Sequence, residues 1–184
     1  MSFLKKRSTR FYLGGFLLMM LALWWSAIPA FADSGGATAT VNAGALSEAG
    51  TFGQSVSVTL NGLDQTASYS LPVQVTDATG SGAGWNLQIS GSPLADSKGH
   101  TLTQQVSGAS AQCASGSTCT APSGGSAISY PFAISNAAQK LFSAGANSGM
   151  GIINVQATIG VFVPGNAFAG SYSTTLTLAA ASGP

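Results

Sequence analysis

The sequence has 184 residues, of which six are Lys or Arg and five are Asp or Glu. That is a charged fraction of 6%, against ~25% in an ordinary soluble domain. No Lys/Arg cluster beyond the first ten residues could neutralise phosphates, so nucleic acid is excluded as a partner, and few groups remain for acid–base catalysis.

The chain opens with Lys5, Lys6, Arg7 and Arg10, then an apolar run over residues 11–28, then Ala30-Phe31-Ala32. A basic start, an apolar stretch and a small-x-small ending predict a secretory signal over residues 1–32, cleaved before Asp33. The run is just long enough to span a bilayer, but its ending favours cleavage, and no membrane segment is expected afterwards. No Cys follows it to carry a lipid. The remaining 152 of the 184 residues make one domain, 33–184, with enough length for a core. Two cations, Lys98 and Lys140, then face five acids, Asp33, Glu48, Asp64, Asp77 and Asp96, for a formal net charge of −3.

This remainder reads as all-β. Apolar residues alternate at Val56, Val58 and Leu60, at Leu71, Val73 and Val75, and at Trp85, Leu87 and Ile89. The longest such row is Ile153, Val155, Ala157, Ile159, Val161 and Val163, and Tyr172, Thr174, Leu176 and Leu178 close the chain. Period-two rows separated by Gly, Ser and Asn turns predict an antiparallel β-sandwich or an open barrel. Residues 135–144 are compatible with one short helix, capped by Ser135, with Ala137, Ala138, Leu141 and Phe142 on one face and Gly145 at its end. Residues 107–126, rich in Gly, Ser, Ala and Thr, read as a long loop. Cys113 and Cys119 lie in it, and two cysteines in an exported chain most simply form one disulfide.

Catalytic chemistry finds little support. His100 is the sole histidine, in a turn-like Ser97-Lys98-Gly99-His100 stretch, and there is no Gly-x-Ser-x-Gly elbow to build a triad around it. The acids are scattered, without the facing pair a glycosidase needs or a calcium-loop spacing. No metal, no cofactor and no enzymatic activity are expected.

Residues 71–90 contain a more specific pattern. Val75-Thr76-Asp77 leads through the glycines at 80, 82 and 84 into Gly84-Trp85-Asn86-Leu87, and Gly170-Ser171-Tyr172 opens a terminal stretch that ends at Pro184. This resembles the WxL domain of Gram-positive surface proteins, over roughly residues 37–184. The family's second Trp-x-Leu is absent, with Leu178 where its Trp would fall, and Thr79 stands at a position often held by Arg. The resemblance implies a secreted module that associates non-covalently with peptidoglycan or another wall polysaccharide. It implies binding residues among Asp77, Gly84, Trp85, Asn86, Leu87 and Tyr172. Two roles are open to Trp85: an exposed ring stacking on sugars, or a core anchor beneath the glycine turn. The apolar row through Leu87 and Ile89 favours the core, and Asp77 suits an Asx cap for the turn.

The alternative function is a structural subunit of an extracellular fibre, matrix or coat, joined to its own copies or to other surface proteins through strand edges. Few Lys or Pro residues guard the edges. Residues 37–43, Ala-Thr-Ala-Thr-Val-Asn-Ala, could insert into a neighbour, although pairing within their own domain is the simpler expectation.

Overall fold

The computed structural model describes residues 36–184; the leader expected over residues 1–32 lies outside them. The folded unit spans Val41–Pro184. Its strands are β1 (Leu46–Gly50), β2 (Gln65–Asp77), β3 (Trp85–Gly91), β4 (Leu94–Ala95), β5 (Thr101–Cys113), β6 (Phe132–Ala133), β7 (Gln139–Ala144), β8 (Gly151–Val163) and β9 (Leu176–Ser182). They form two antiparallel sheets: β1-β2-β8-β5-β4, with β6 also on β5, and β7-β3-β9. The all-β sandwich expected from the alternating rows is present.

Those rows make the core. Leu71, Val73 and Val75 of β2 and Ile153, Val155, Ala157 and Ile159 of β8 are all buried. They meet Trp85, Leu87 and Ile89 of β3 and Leu141 of β7 in one cluster. β2 and β8 pair along their whole length, from Gln65↔Val163 to Asp77↔Gly151. These are 13-residue strands, ~43 Å long, whereas the seven residues of β3 and β9 reach only ~23 Å. The larger sheet therefore overhangs the smaller by ~20 Å. On that overhang sits a second, smaller cluster of Leu102, Val161 and Val163, with Val58, Tyr69, Leu94, Ala167 and Tyr172 packed against it.

Four expectations require correction. Residues 135–144 form no helix. Ser135 Oγ accepts the Ala137 N–H at 3.3 Å in a turn, and β7 then pairs with β3, from Ile89↔Gln139 to Trp85↔Ala144. An isolated helix of that length is marginal, and the open edge of β3 offers a full ladder instead. The 107–126 loop is likewise shorter than expected, because β5 continues along β8 to Cys113↔Ile153.

The Val56-Val58-Leu60 row is not a strand. Thr51 N–H donates to Pro72 O at 2.9 Å, which places the Pro72 nitrogen on the β1 side as well. With no N–H to return the bond, Pro72 ends the β1 ladder there, and the chain leaves to run over the overhang. The last strand begins at Leu176, not Tyr172; Ser173 makes only an isolated bridge to Ala95.

Candidate functional site

Five of the six expected binding residues lie together at the closed end of the sandwich. Trp85 is 0% exposed, with its ring 5.9 Å from that of Phe142. Its indole N–H donates to Gly149 O at 2.8 Å. Gly149 has φ of 70°, and a Cβ there would lie 2.6 Å from Trp85 Nε1, so only glycine lets the backbone approach the indole. Gly84 packs with no room for a side chain against the backbone of Ala144 and Gly145. Leu87 is fully buried.

The polar members are equally engaged. Asp77 Oδ1 accepts the Thr79 N–H at 3.0 Å and the Thr79 hydroxyl at 2.7 Å, which is the Asx arrangement anticipated for the glycine turn. Asn86 Nδ2 donates to Gly183 O at 2.8 Å and Asn86 Oδ1 accepts from Gln88 at 2.8 Å, tying down the C-terminal strand. In this arrangement the Trp-x-Leu row faces inward. The Cys113–Cys119 disulfide closes a small ring next to this end, where Cys119 packs against the core cluster.

Tyr172 stands apart from the other five, on the overhang. Here lies an open groove of about 820 Å³, within the usual range of ~300–1,000 Å³ for ligand sites. Val58, Leu102, Val161 and Val163 make an aliphatic floor, while Phe52, Tyr69, Phe168 and Tyr172 supply aromatic walls. Gln54, Ser55, Ser171 and Ser173 bring amide and hydroxyl groups to it, and none of its lining residues carries a charge. Phe52 and Phe168 are 50% and 62% exposed.

Hydrogen bonds hold both ends of the groove. At the inner end, Tyr69 OH donates to Gln104 Oε1 at 3.3 Å, and Gln104 Nε2 donates to Ser92 O at 3.1 Å. The Thr174 hydroxyl donates to the same Ser92 carbonyl at 2.6 Å. Burial pushes the Tyr69 phenol above its ordinary value, so it stays a neutral donor. At the outer end, Tyr172 OH donates to Phe168 O at 2.8 Å, and the Phe168 ring stacks on His100 at 3.9 Å. His100 Nδ1 lies 2.7 Å from Asp96 Oδ2. That side-chain hydrogen bond, with backbone N–H bonds from His100 and Lys98, holds the Asp96 carboxyl below its ordinary value despite partial desolvation.

The His100–Asp96 pair thus braces a groove wall. Among the described residues, no hydroxyl hydrogen-bonds the His100 ring, and no three His, Cys, Asp or Glu side chains gather as a metal site. Of the groove residues, only Tyr172 is among the binding residues expected from sequence. Phe52 and Phe168 carried a usable signal: lone aromatics in stretches otherwise made of Gly, Ala, Ser, Thr, Asn and Gln.

Comparison with curated proteins and with solved structures returned no match. A family model does match: "WxL domain surface cell wall-binding", over residues 36–184. That family binds the cell wall and is not an enzymatic one. The match spans the whole described region, both the closed end with its Trp-x-Leu row and the open groove, and the chain therefore belongs to the WxL family of surface cell wall-binding domains.

Proposed function

We propose that this domain holds a wall glycan non-covalently in the overhang groove, with N-acetylated sugars, such as those of peptidoglycan, as the ligand class. The observation that carries this is the chemistry of the groove. Aromatic walls offer flat apolar faces for sugar rings. Amide and hydroxyl groups can meet ring hydroxyls, and the aliphatic floor suits the methyl of an N-acetyl group. The lack of charge in the lining matches a neutral polymer. The inward-facing Trp85 leaves the closed end as the frame of the domain, with Asp77, Gly84, Asn86 and Leu87 as its supports and Tyr172 as the one expected binding residue in the groove.

Cosedimentation with purified walls tests the reading. The domain is expected to pellet with native walls equally well at low and high salt, since no charged side chain lines the groove. Chemical removal of N-acetyl groups from the walls should release it. Pelleting that collapses with salt, or that ignores de-N-acetylation, would overturn the assignment.

A further inference from the structure

We infer that copies of this chain join head to tail, residues 37–43 of one adding as a strand to the outer edge of β5 in the next. The acceptor is visible in the ladder. The outer edge of β5 is covered by β4 at Thr101 and Leu102, and by β6 and the Ile134 N–H from Gln104 to Val106. Beyond them, among the described residues, nothing pairs with residues 107–113 on the side away from β8. Ala114 N–H donates to Ile152 O at 2.9 Å, so Gly108, Ser110 and Gln112 also turn their backbone groups to β8. By antiparallel alternation, Ala109, Ala111 and Cys113 turn theirs outward. No Lys, Pro or acid guards the stretch.

The donor has the matching pattern. Residues 37–43 are exposed and in no strand, with Val41 at 94% exposure. The expectation that they pair within their own domain is not met among the described residues. As a strand they would put Ala37, Ala39, Val41 and Ala43 on one face and Thr38, Thr40 and Asn42 on the other. β5 has the same division, with Ala109 and Ala111 half-buried against the core and Ser110 and Gln112 exposed. Both segments are uncharged and seven residues long.

Chain reach makes the pairing intermolecular. Gly44 is pinned to the β1 side of the sheet by its N–H to Ala78 O at 2.8 Å. The free edge of β5 is on the opposite side, past β2 and β8. A strand added there lies ~19 Å from β1, whereas residue 43 is held ~3.8 Å from Gly44. A chain cannot fill its own edge with these residues but can fill its neighbour's. Because donor and acceptor are different surfaces on opposite sides, the contact is heterologous and propagates as an open filament. One short strand buries little area, so each joint is weak.

Analytical ultracentrifugation of the secreted protein tests this. The wild type is expected to form larger species as concentration rises to millimolar. Val41→Pro removes the donor, and Ala111→Pro removes an outward N–H while sparing the β8 ladder; each alone should be monomeric. Mixed together, they should form a one-to-one dimer and nothing larger, because one keeps only the acceptor and the other only the donor. A wild type that stays monomeric throughout, or assembly that survives Val41→Pro, would overturn the inference. Should Ala111→Pro fail to fold, Val41→Pro still decides, since Val41 lies in no strand.

Discussion

Substituting alanine at two left-handed glycines separates backbone strain from the packing of the Trp85 site. Gly149 and Gly80 have nearly the same φ, 70° and 66°, so each Ala carries a similar left-handed cost of about 1–2 kcal/mol. At Gly80 nothing lies within 4 Å of the added Cβ, and that cost is the whole expected effect. At Gly149 the Cβ would sit 2.6 Å from both Trp85 Nε1 and Ala144 Cβ. Overpacking there adds about 1–3 kcal/mol. Pushing the indole off the Gly149 carbonyl leaves a buried donor unpaired, at about 1–3 kcal/mol. The two latter effects share one displacement and do not simply add, which puts Gly149→Ala at about 3–5 kcal/mol. With an m-value of about 2 kcal/mol/M, its urea midpoint falls by about 2 M, against under about 1 M for Gly80→Ala. Trp85 is the only tryptophan among the described residues, so in protein made without residues 1–32 its emission follows unfolding directly, and native Gly149→Ala should already emit to the red. Equal losses for the two variants would refute the packing argument.

Three further outcomes are expected. Gln104→Ala, at a 2% exposed position, removes the partner of Tyr69 OH and one donor to Ser92 O, and should lower stability by about 1–3 kcal/mol in chemical denaturation. The Asp96 carboxyl is held below the ordinary 3.8, so as pH falls the unfolded chain takes up that proton first. Its contribution is complete above that value and fades as pH drops through the lower folded value, so the stability gap between wild type and Asp96→Asn should narrow only in that acid range. Opening the Cys113–Cys119 ring, with five residues between the cysteines, should cost about 2 kcal/mol, measured with Cys113→Ser/Cys119→Ser.

The strands that carry large apolar side chains were legible in the sequence. The rows of β2, β3 and β8 announced their inward faces through Val, Leu and Ile at period two, and the same row favoured a buried Trp85. Small side chains hid the rest. The second half of β5 is Ser, Gly, Ala and Gln, too slight to show alternation, and becomes a strand because β8 offers it a ladder. The Leu141-Phe142 pair read as a helix face because local spacing cannot reveal that the edge of β3 is vacant. The failed strand at Val56-Val58-Leu60 turned on one missing N–H, at Pro72, far from it in sequence. The groove was illegible for a different reason: it arises from the unequal lengths of two sheets, which no local pattern records, and only Tyr172 stood near a recognisable motif.

On the proposed function, wall glycan enters the overhang groove and not the Trp85 end. Isothermal titration of soluble N-acetylated wall fragments into wild type and into Phe52→Ser/Phe168→Ser tests it most directly, because both rings are exposed and their loss should leave the fold intact. The double variant should lose at least about tenfold in affinity, with unchanged Trp85 emission. A folded double variant that binds the fragments as tightly as wild type would contradict that assignment.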